Sequence, residues 1–228
     1  MPIAFASLGT ISGTTTNATS YYGPSGSVTA GDLLICGVSA AATVAAGTMT
    51  GGGLTWTRLT SFTKNVGADT IYVFWASSPT TQGLAVTFDC TGDAAAGCCI
   101  FCYKVTGGEG QTVPAIRQFI TNTGSVANPS GVMLAAVLSG NGVIGFAANG
   151  TNSATQWTSP TNWTEGGEAS YTTTAQSFQA CSYISETRTT IPWTNANVTA
   201  WGVIILELWQ PHTRSVSAGA SYSSPMFY

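Results

Sequence analysis

The chain has 228 residues, of which only 7% are charged, and its six Lys and Arg residues are widely spaced. Such thinly spread cations cannot neutralise a phosphate backbone, so the composition predicts no binding to nucleic acid. The longest apolar run, residues 201–209, is interrupted by Glu207 and is far shorter than the roughly 20 residues of a transmembrane helix, which predicts no membrane span.

Short apolar runs, rich in β-branched and aromatic residues and bounded by turn residues, follow one another along the whole chain. Such runs are typical of strands, and helical periodicity is almost absent. Two runs, residues 98–105 and 203–208, are apolar on both faces, which indicates central strands. We predict strands at residues 3–8, 32–39, 54–60, 70–77, 85–89, 98–106, 132–138, 143–148, 171–174, 177–185 and 198–209.

Strands of this length and spacing predict an all-β fold: an antiparallel two-sheet sandwich, jelly-roll-like, with extended N- and C-terminal arms. Residues 30–210 are predicted to form a single sandwich domain. Residues 1–29 are predicted to form an N-terminal arm that includes a first strand, and residues 211–228 an extended C-terminal tail.

Residues 9–30 are rich in Ser, Thr, Gly and Ala, and residues 211–228 form a polar segment with too few apolar residues to fold alone, so that a frayed C-terminal end is the alternative to docking. Each nevertheless carries a few large side chains. We predict that the arms pack against neighbouring molecules, including copies of the same chain, through Tyr21, Tyr22, Met226, Phe227 and Tyr228.

The residues needed for acid–base or nucleophilic catalysis are scarce. The single histidine, His212, follows the last predicted strand, so neither a Ser-His-Asp nor a Cys-His arrangement is predicted. Two carboxylate pairs, Glu165 with Glu168 and Asp89 with Asp93, lie at turns without an apolar enclosure that would raise one pKa. We therefore predict no catalytic residue and no enzymatic activity.

Most of the cysteines lie inside apolar runs, which predicts small, buried, free thiols. A disulfide from Cys90 to either Cys98 or Cys99 across a short loop is left open. Because Cys98 and Cys99 are adjacent, they point to opposite faces of a strand, and no histidine is near them. We therefore predict that the cysteines bind no metal and no cofactor. The six cysteines are Cys36, Cys90, Cys98, Cys99, Cys102 and Cys181.

Three tryptophans, Trp157, Trp163 and Trp193, lie in polar surroundings rich in Thr and Asn. On one interpretation their rings form an exposed platform that stacks against sugar rings. On the other they close the ends of the sandwich as large apolar lids. Both interpretations stay open at this point.

Several predicted strands carry short motifs of a recognisable kind: Ala30-Gly31-Asp32-Leu33-Leu34, Trp56-Thr57, Trp75-Ala76 and Val86-Thr87-Phe88. Together these motifs resemble those of a family of β-sandwich proteins of tailed bacteriophages. The last element, Cys102-Tyr103-Lys104-Val105, lacks the glutamate of the family pattern and matches only in part. The resemblance covers residues 28–210, and its motifs are structural and not catalytic.

This resemblance implies a structural protein of the virion, most often a capsid decoration or cement protein. Its partners would be other virion proteins, the major capsid protein above all, and copies of itself. The chain lacks the basic and apolar regions of a secretory signal, which fits synthesis and assembly in the host cytoplasm. The alternative, based on the three tryptophans, is a carbohydrate-binding or host-adhesion module of the virion.

Overall fold

The computed structural model describes residues 3–9, 12–41, 47–63, 69–90, 94–107, 116–125, 128–150, 157–172, 175–195 and 200–209. The fold is all-β and consists of antiparallel sheets that pack against one another. Across these ranges we find no helix with the length and apolar character needed to cross a membrane.

The described residues form eighteen strands. The first nine are β1 (Ala4–Ser7), β2 (Ser12–Thr14), β3 (Ser20–Val28), β4 (Leu33–Ala40), β5 (Thr48–Thr50), β6 (Thr57–Thr63), β7 (Thr70–Ser77), β8 (Gln82–Asp89) and β9 (Cys98–Thr106). The others are β10 (Ile116–Gly124), β11 (Ser130–Val132), β12 (Gly142–Asn149), β13 (Trp157–Thr158), β14 (Thr164–Tyr171), β15 (Gln176–Ile184), β16 (Thr190–Pro192), β17 (Thr194–Asn195) and β18 (Trp201–Leu208).

Two large sheets form the centre of the molecule. The N sheet has the order β1-β9-β4-β7-β6, with β2 also paired to β9, and the C sheet has the order β10-β18-β12-β15-β14. The outer face of the N sheet is covered by a small sheet, β3-β8-β5, which we call the cover sheet. The outer face of the C sheet is covered by the two-stranded pairs β11-β16 and β13-β17.

The layers explain why the central strands are apolar at consecutive positions. All residues of β4, β12 and β18 are buried, because one face of each strand packs in the core between the two large sheets and the other face packs under the outer layer. In β18, for example, Ile204 and Leu206 point to the central core, and Val203 and Ile205 to the outer one. The predicted central positions of β9 and β18 are confirmed.

The two large sheets approach closely where Gly37 of β4 meets Phe146 of β12. A Cβ atom added to Gly37 would collide with the Phe146 ring, so the absence of a side chain creates the space that the ring fills. The Phe146 ring also stacks on Phe178, with centroids 5.8 Å apart, and lies 6.3 Å from the Tyr103 ring of the N sheet. One aromatic side chain therefore joins the two halves of the chain in a shared core.

The two halves repeat the same topology. The order β9-β4-β7-β6 in the N sheet matches β18-β12-β15-β14 in the C sheet. The registers also match: Leu33 pairs with Val105 and Ser77, as Gly142 pairs with Leu208 and Ile184. A bulge is found at the same place on both edge strands, between Arg58 and Thr60 in β6 and between Glu165 and Gly167 in β14.

The turn before the first central strand is repeated as well. The backbone N–H of Ser78 donates to Asp32 O at 2.9 Å, and that of Ser185 donates to Asn141 O at 2.9 Å. The preceding residue is Gly31 in one half, with φ 99°, and Gly140 in the other, with φ 84°. These left-handed conformations favour glycine. We infer that the fold is a tandem repeat of one β unit packed face to face.

The predicted antiparallel sandwich is confirmed, and its jelly-roll detail remains a prediction. Some boundaries are wrong. Residues 132–138, predicted as one strand, contain only the end of β11, and the remainder is a loop. Within the predicted N-terminal arm, residues 12–14 form β2, which pairs with β9, and residues 20–28 form β3, which pairs with β8. All six cysteines are free thiols, so the disulfide left open for Cys90 is not formed.

Candidate interaction surface

The structure separates the two tyrosines that the sequence places at an interface. Tyr21 is buried, and its hydroxyl donates hydrogen bonds to the carbonyl oxygens of Ala95 and Thr16. Tyr22 is 82% exposed on the outer face of the cover sheet. Because neighbouring residues of a strand point to opposite faces, only Tyr22 can contact another molecule. Of the other predicted interface residues, Met226, Phe227 and Tyr228 lie outside the described residues, as does His212.

The three tryptophans of the predicted glycan platform are buried together in the core of the second half. Trp157 Nε1 donates to Ser177 Oγ at 2.8 Å, and Trp163 Nε1 donates to a Glu186 carboxylate oxygen at 2.6 Å. Trp193 packs edge-on against Trp163, with ring centroids 5.9 Å apart. Rings enclosed in this way cannot stack on a sugar, so the platform does not fit the structure, and the rings instead fill the core.

The Glu186 carboxylate fixes the turn that follows β15. It accepts hydrogen bonds from Arg188 Nη2 at 2.7 Å and from the backbone N–H of Thr187 at 2.9 Å. Burial favours the neutral acid, but the hydrogen bonds from Arg188 and Trp163 outweigh it and lower the pKa of Glu186 to about 2. This carboxylate is therefore ionised and fully engaged in holding a turn.

Of the two carboxylate pairs considered for catalysis, only Glu165 and Glu168 lie entirely within the described residues. Glu165 is exposed, whereas Glu168 is half-buried and accepts a hydrogen bond from the backbone N–H of Trp157 at 3.3 Å. Asp89 is half-buried at the end of β8, and Asp93 lies outside the described residues. In the part of the chain that the structure describes, no cluster of His, Cys, Asp and Glu could hold a metal ion.

Burial also suppresses the chemistry of the cysteines. The pKa values of the Cys36, Cys98 and Cys181 thiols are raised well above the usual value, and burial is the largest cause for each. The thiolate is the reactive form of cysteine. These side chains consequently act as small apolar groups in the cores on the outer faces of the two sheets.

An exposed apolar loop is the most unusual surface of the described chain. We call residues 132–138 the apolar loop. Leu134 is 80% exposed and Val132 is 58% exposed, and Leu138 is also exposed. Ala135 and Ala136 between them are exposed as well. Only Met133 and Val137 point into the core, so a run of seven apolar residues presents most of its side chains to solvent.

The buried Glu207 carboxylate of β18 fixes this loop. Glu207 Oε1 accepts hydrogen bonds from the backbone N–H of Leu138 at 2.9 Å and from Asn141 Nδ2 at 2.7 Å. Its Oε2 accepts from Arg117 Nη1 and Gln118 Nε2, each at 2.5 Å. Burial alone would raise the pKa of Glu207, but these hydrogen bonds outweigh it and lower the pKa below its ordinary value.

Strand β10 holds the middle of the apolar loop. The Gln118 amide exchanges two hydrogen bonds with the backbone of Ala135, at 2.9 and 3.0 Å. Arg117 Nη1 donates to Ala136 O at 3.0 Å. The backbone of the loop is thus bonded on one side to a buried charge network, while its apolar side chains point outward. A surface held in place before binding loses little conformational entropy when a partner covers it.

The sheet edges are less suited to association than the loop. Register shifts occur on β3, β6, β10 and β14, and each of these is an edge strand. Bulges twist an edge and interrupt its hydrogen-bonding groups, which hinders the addition of a further strand. Association through side chains of a loop or a sheet face is therefore favoured over strand addition.

A shallow cleft of about 290 Å³ lies at one end of the sandwich. It combines two aromatic rings with hydroxyl and amide groups and has no ionisable acid or base except a tyrosine. Its lining residues are Phe5, Asn162, Thr164, Ser182, Tyr183 and Ile184. Uncharged polar groups beside apolar surface can bind a small neutral ligand.

No family model matches the chain, and neither a curated protein nor a solved structure matches it.

The sequence does not single out the apolar loop. Its letters, Val-Met-Leu-Ala-Ala-Val-Leu, predict a strand that is buried on both faces. The two buried residues, Met133 and Val137, are four positions apart, a spacing that places two side chains on the same face of a strand as well. The sequence of the loop therefore carries no sign that it is not a strand.

Proposed function

We propose that the chain is a structural protein of a bacteriophage particle, a capsid decoration or cement protein. On this proposal it binds the major capsid protein and copies of itself, and does no chemistry. The observation that carries the proposal is the apolar loop, with Leu134 80% exposed on a backbone held by buried hydrogen bonds. The resemblance of residues 28–210 to β-sandwich proteins of tailed bacteriophages supports the same role.

The remaining surface supports a binding role as well. With 7% charged residues, the protein has little charge repulsion to prevent neighbouring copies from packing closely. A single loop is a small contact compared with the 20–30 residues per side of a standard interface. Repetition over a particle compensates, because many weak contacts made together give high avidity.

Replacing Leu134 by Ser tests the proposal. We expect occupancy of the protein on particles to fall about tenfold, because burying a leucine side chain is worth roughly 1.5–3 kcal/mol and each 1.4 kcal/mol is a factor of ten. The measurement is quantitative mass spectrometry of purified particles that were assembled with the variant in place of the normal protein.

Ile184→Ser is the matched control, since Ile184 is also an exposed aliphatic residue but lines the cleft instead of the apolar loop. We expect its occupancy to stay close to normal, with melting temperatures confirming that both variants fold. Equal occupancy of Leu134→Ser and the normal protein would reject the loop as the contact.

A carbohydrate-binding or host-adhesion role is the second candidate, and the cleft is the observation that favours it. Phe5 and Tyr183 provide ring surface, and Asn162, Thr164 and Ser182 provide hydrogen-bonding groups. Binding on a glycan array that Tyr183→Ala removes, and that Leu134→Ser leaves unchanged, would favour this role over decoration.

A further inference from the structure

The apolar loop lies close to Trp209, the last residue that the structure describes. Strand β18 ends at Leu208, and the guanidinium of Arg117 lies 5.7 Å from the centroid of the Trp209 ring. The same Arg117 donates a hydrogen bond to Ala136 O in the middle of the loop, at 3.0 Å. One side chain therefore contacts both the apolar loop and the last described residue.

The segment that begins there has a sequence suited to reach and cover the loop. Residues 210–225 are dominated by Ser, Ala, Gly and Thr, and the chain then ends in Met226, Phe227 and Tyr228. The general random-coil relation gives a root-mean-square span of about 22 Å for 16 residues of such a composition. The apolar end of the segment can therefore reach a surface that starts next to Trp209. Residues 210–228 contain no acid, and only Arg214 carries a full positive charge.

The small size of the loop favours the segment of the same molecule over that of a second one. A separate molecule loses translational and rotational freedom on binding, and an interface much smaller than the standard size rarely compensates for that loss. A segment tethered close to its site loses only the conformational entropy of closing a loop, and this cost grows slowly with the length of the loop. Its effective concentration at the site is in the millimolar range.

We infer that the apolar end of the C-terminal segment, Met226 to Tyr228, packs on the apolar loop of the same chain in the free protein. This inference goes beyond the proposed function, because it concerns the protein before it binds any partner. It names an intramolecular occupant for the surface that Leu134 and Val132 would otherwise expose.

Engineered cysteines test the contact in the full chain. Leu134→Cys is combined with Phe227→Cys, and disulfide formation under mild oxidation is followed by intact mass without reduction. The six native thiols are buried and react slowly. The control combines Tyr22→Cys with Phe227→Cys, since Tyr22 is as exposed as Leu134 but lies on the cover sheet. We expect the Leu134 pair to close within the monomer at least about tenfold faster than the control.

A second readout does not depend on forming a disulfide. The alkylation rate of Leu134→Cys is compared between the normal C-terminus and one carrying Met226→Ser, Phe227→Ser and Tyr228→Ser. We expect alkylation about tenfold faster with the three serines, because the thiol then loses its cover. An unchanged rate overturns the inference.

The products of oxidation distinguish the possible partners. Equal closure rates for the two cysteine pairs mean that the segment has no preferred site and overturn the inference. Disulfide-linked dimers as the main product identify a second copy as the partner and also overturn it. The proposed function is tested separately, by the occupancy of Leu134→Ser on particles. Either this inference or the proposed function can therefore fail while the other stands.

Discussion

Replacing Phe146 by Ala should lower the free energy of unfolding by about 4 kcal/mol. The Phe146 ring fills the space over Gly37, stacks on Phe178 and approaches Tyr103, so its removal leaves a cavity between the two large sheets. Equilibrium unfolding in urea, monitored by circular dichroism, measures the change. A loss of this size is a large fraction of the 5–15 kcal/mol that stabilises an ordinary protein.

The same variant tests whether the two halves unfold as one unit. Since the cavity lies in a core that both sheets share, hydrogen exchange should become faster in β4 and β9 as well as in β12 and β15. Phe119→Ala is the control, because Phe119 lies partly exposed on edge strand β10, and its cost should be well below half as large. Unchanged protection of the first half in the Phe146 variant would contradict the shared core.

Replacing Glu207 by Gln should cost about 3 kcal/mol, because it leaves one partner of a buried ion pair without its counter-charge. The Glu207 carboxylate accepts hydrogen bonds from Arg117, Gln118, Asn141 and the backbone N–H of Leu138. The side-chain amide of a glutamine at position 207 would place its own N–H donors against some of these donor groups. The free energy of unfolding at pH 7 measures the loss, and faster hydrogen exchange in the apolar loop shows where it acts.

The pH dependence of this variant has a defined sign. The pKa of Glu207 is lowered in the folded protein, while an unfolded glutamate titrates near pH 4.3. Its stabilisation is therefore complete above about pH 4.3 and is lost as the pH falls through the lower, folded pKa. The difference between the normal protein and Glu207→Gln should shrink as the solution is acidified.

Glu165→Gln is the matched control for this substitution. Glu165 is exposed at the bulge of β14, so the same chemical change there should alter stability by no more than about 0.5 kcal/mol. A Glu207 variant as stable as this control would show that the buried network does not hold the loop.

The central strands were the most predictable part of the fold. In β9 and β18 the apolar residues occupy consecutive positions because both faces of each strand are covered. A strand buried on both faces has no alternation of apolar and polar residues, so the uninterrupted apolar run itself predicts it. The burial of Tyr21 depends instead on β3 pairing with β8, whose residues lie about 60 positions away along the chain. Because the paired residues are so far apart along the chain, no local sequence pattern predicts that Tyr21 is buried.

The internal repeat is invisible in the sequence because equivalent positions hold unlike side chains. Lys104 in β9 and Glu207 in β18 occupy the same register position, opposite Leu34 and Val143. Lys104 reaches the surface and donates to Ser27 O, whereas Glu207 is buried in a hydrogen-bond network. The two halves therefore share strand order and register but differ in their outer layers and in their side-chain contacts.

The candidate site was the least predictable feature, and for a related reason. The apolar loop has the composition of a buried strand, and it is exposed because Gln118 and Arg117 bond its backbone to the edge of the C sheet. The three tryptophans show the reverse effect, since polar neighbours in the sequence suggested exposure although β13 and β17 bring the rings into the core. In both places, contacts between distant segments decide which side chains reach solvent.

Quantitative mass spectrometry of gradient-purified phage particles, collected from cells that express the chain, tests the proposed role most directly. We expect the protein at a constant ratio to the major capsid protein. We also expect it to remain after washing in 1 M salt, because screening at that concentration weakens contacts between charges but not apolar ones. Particles that lack the protein, or that lose it in the salt wash, would contradict a structural role based on apolar contacts.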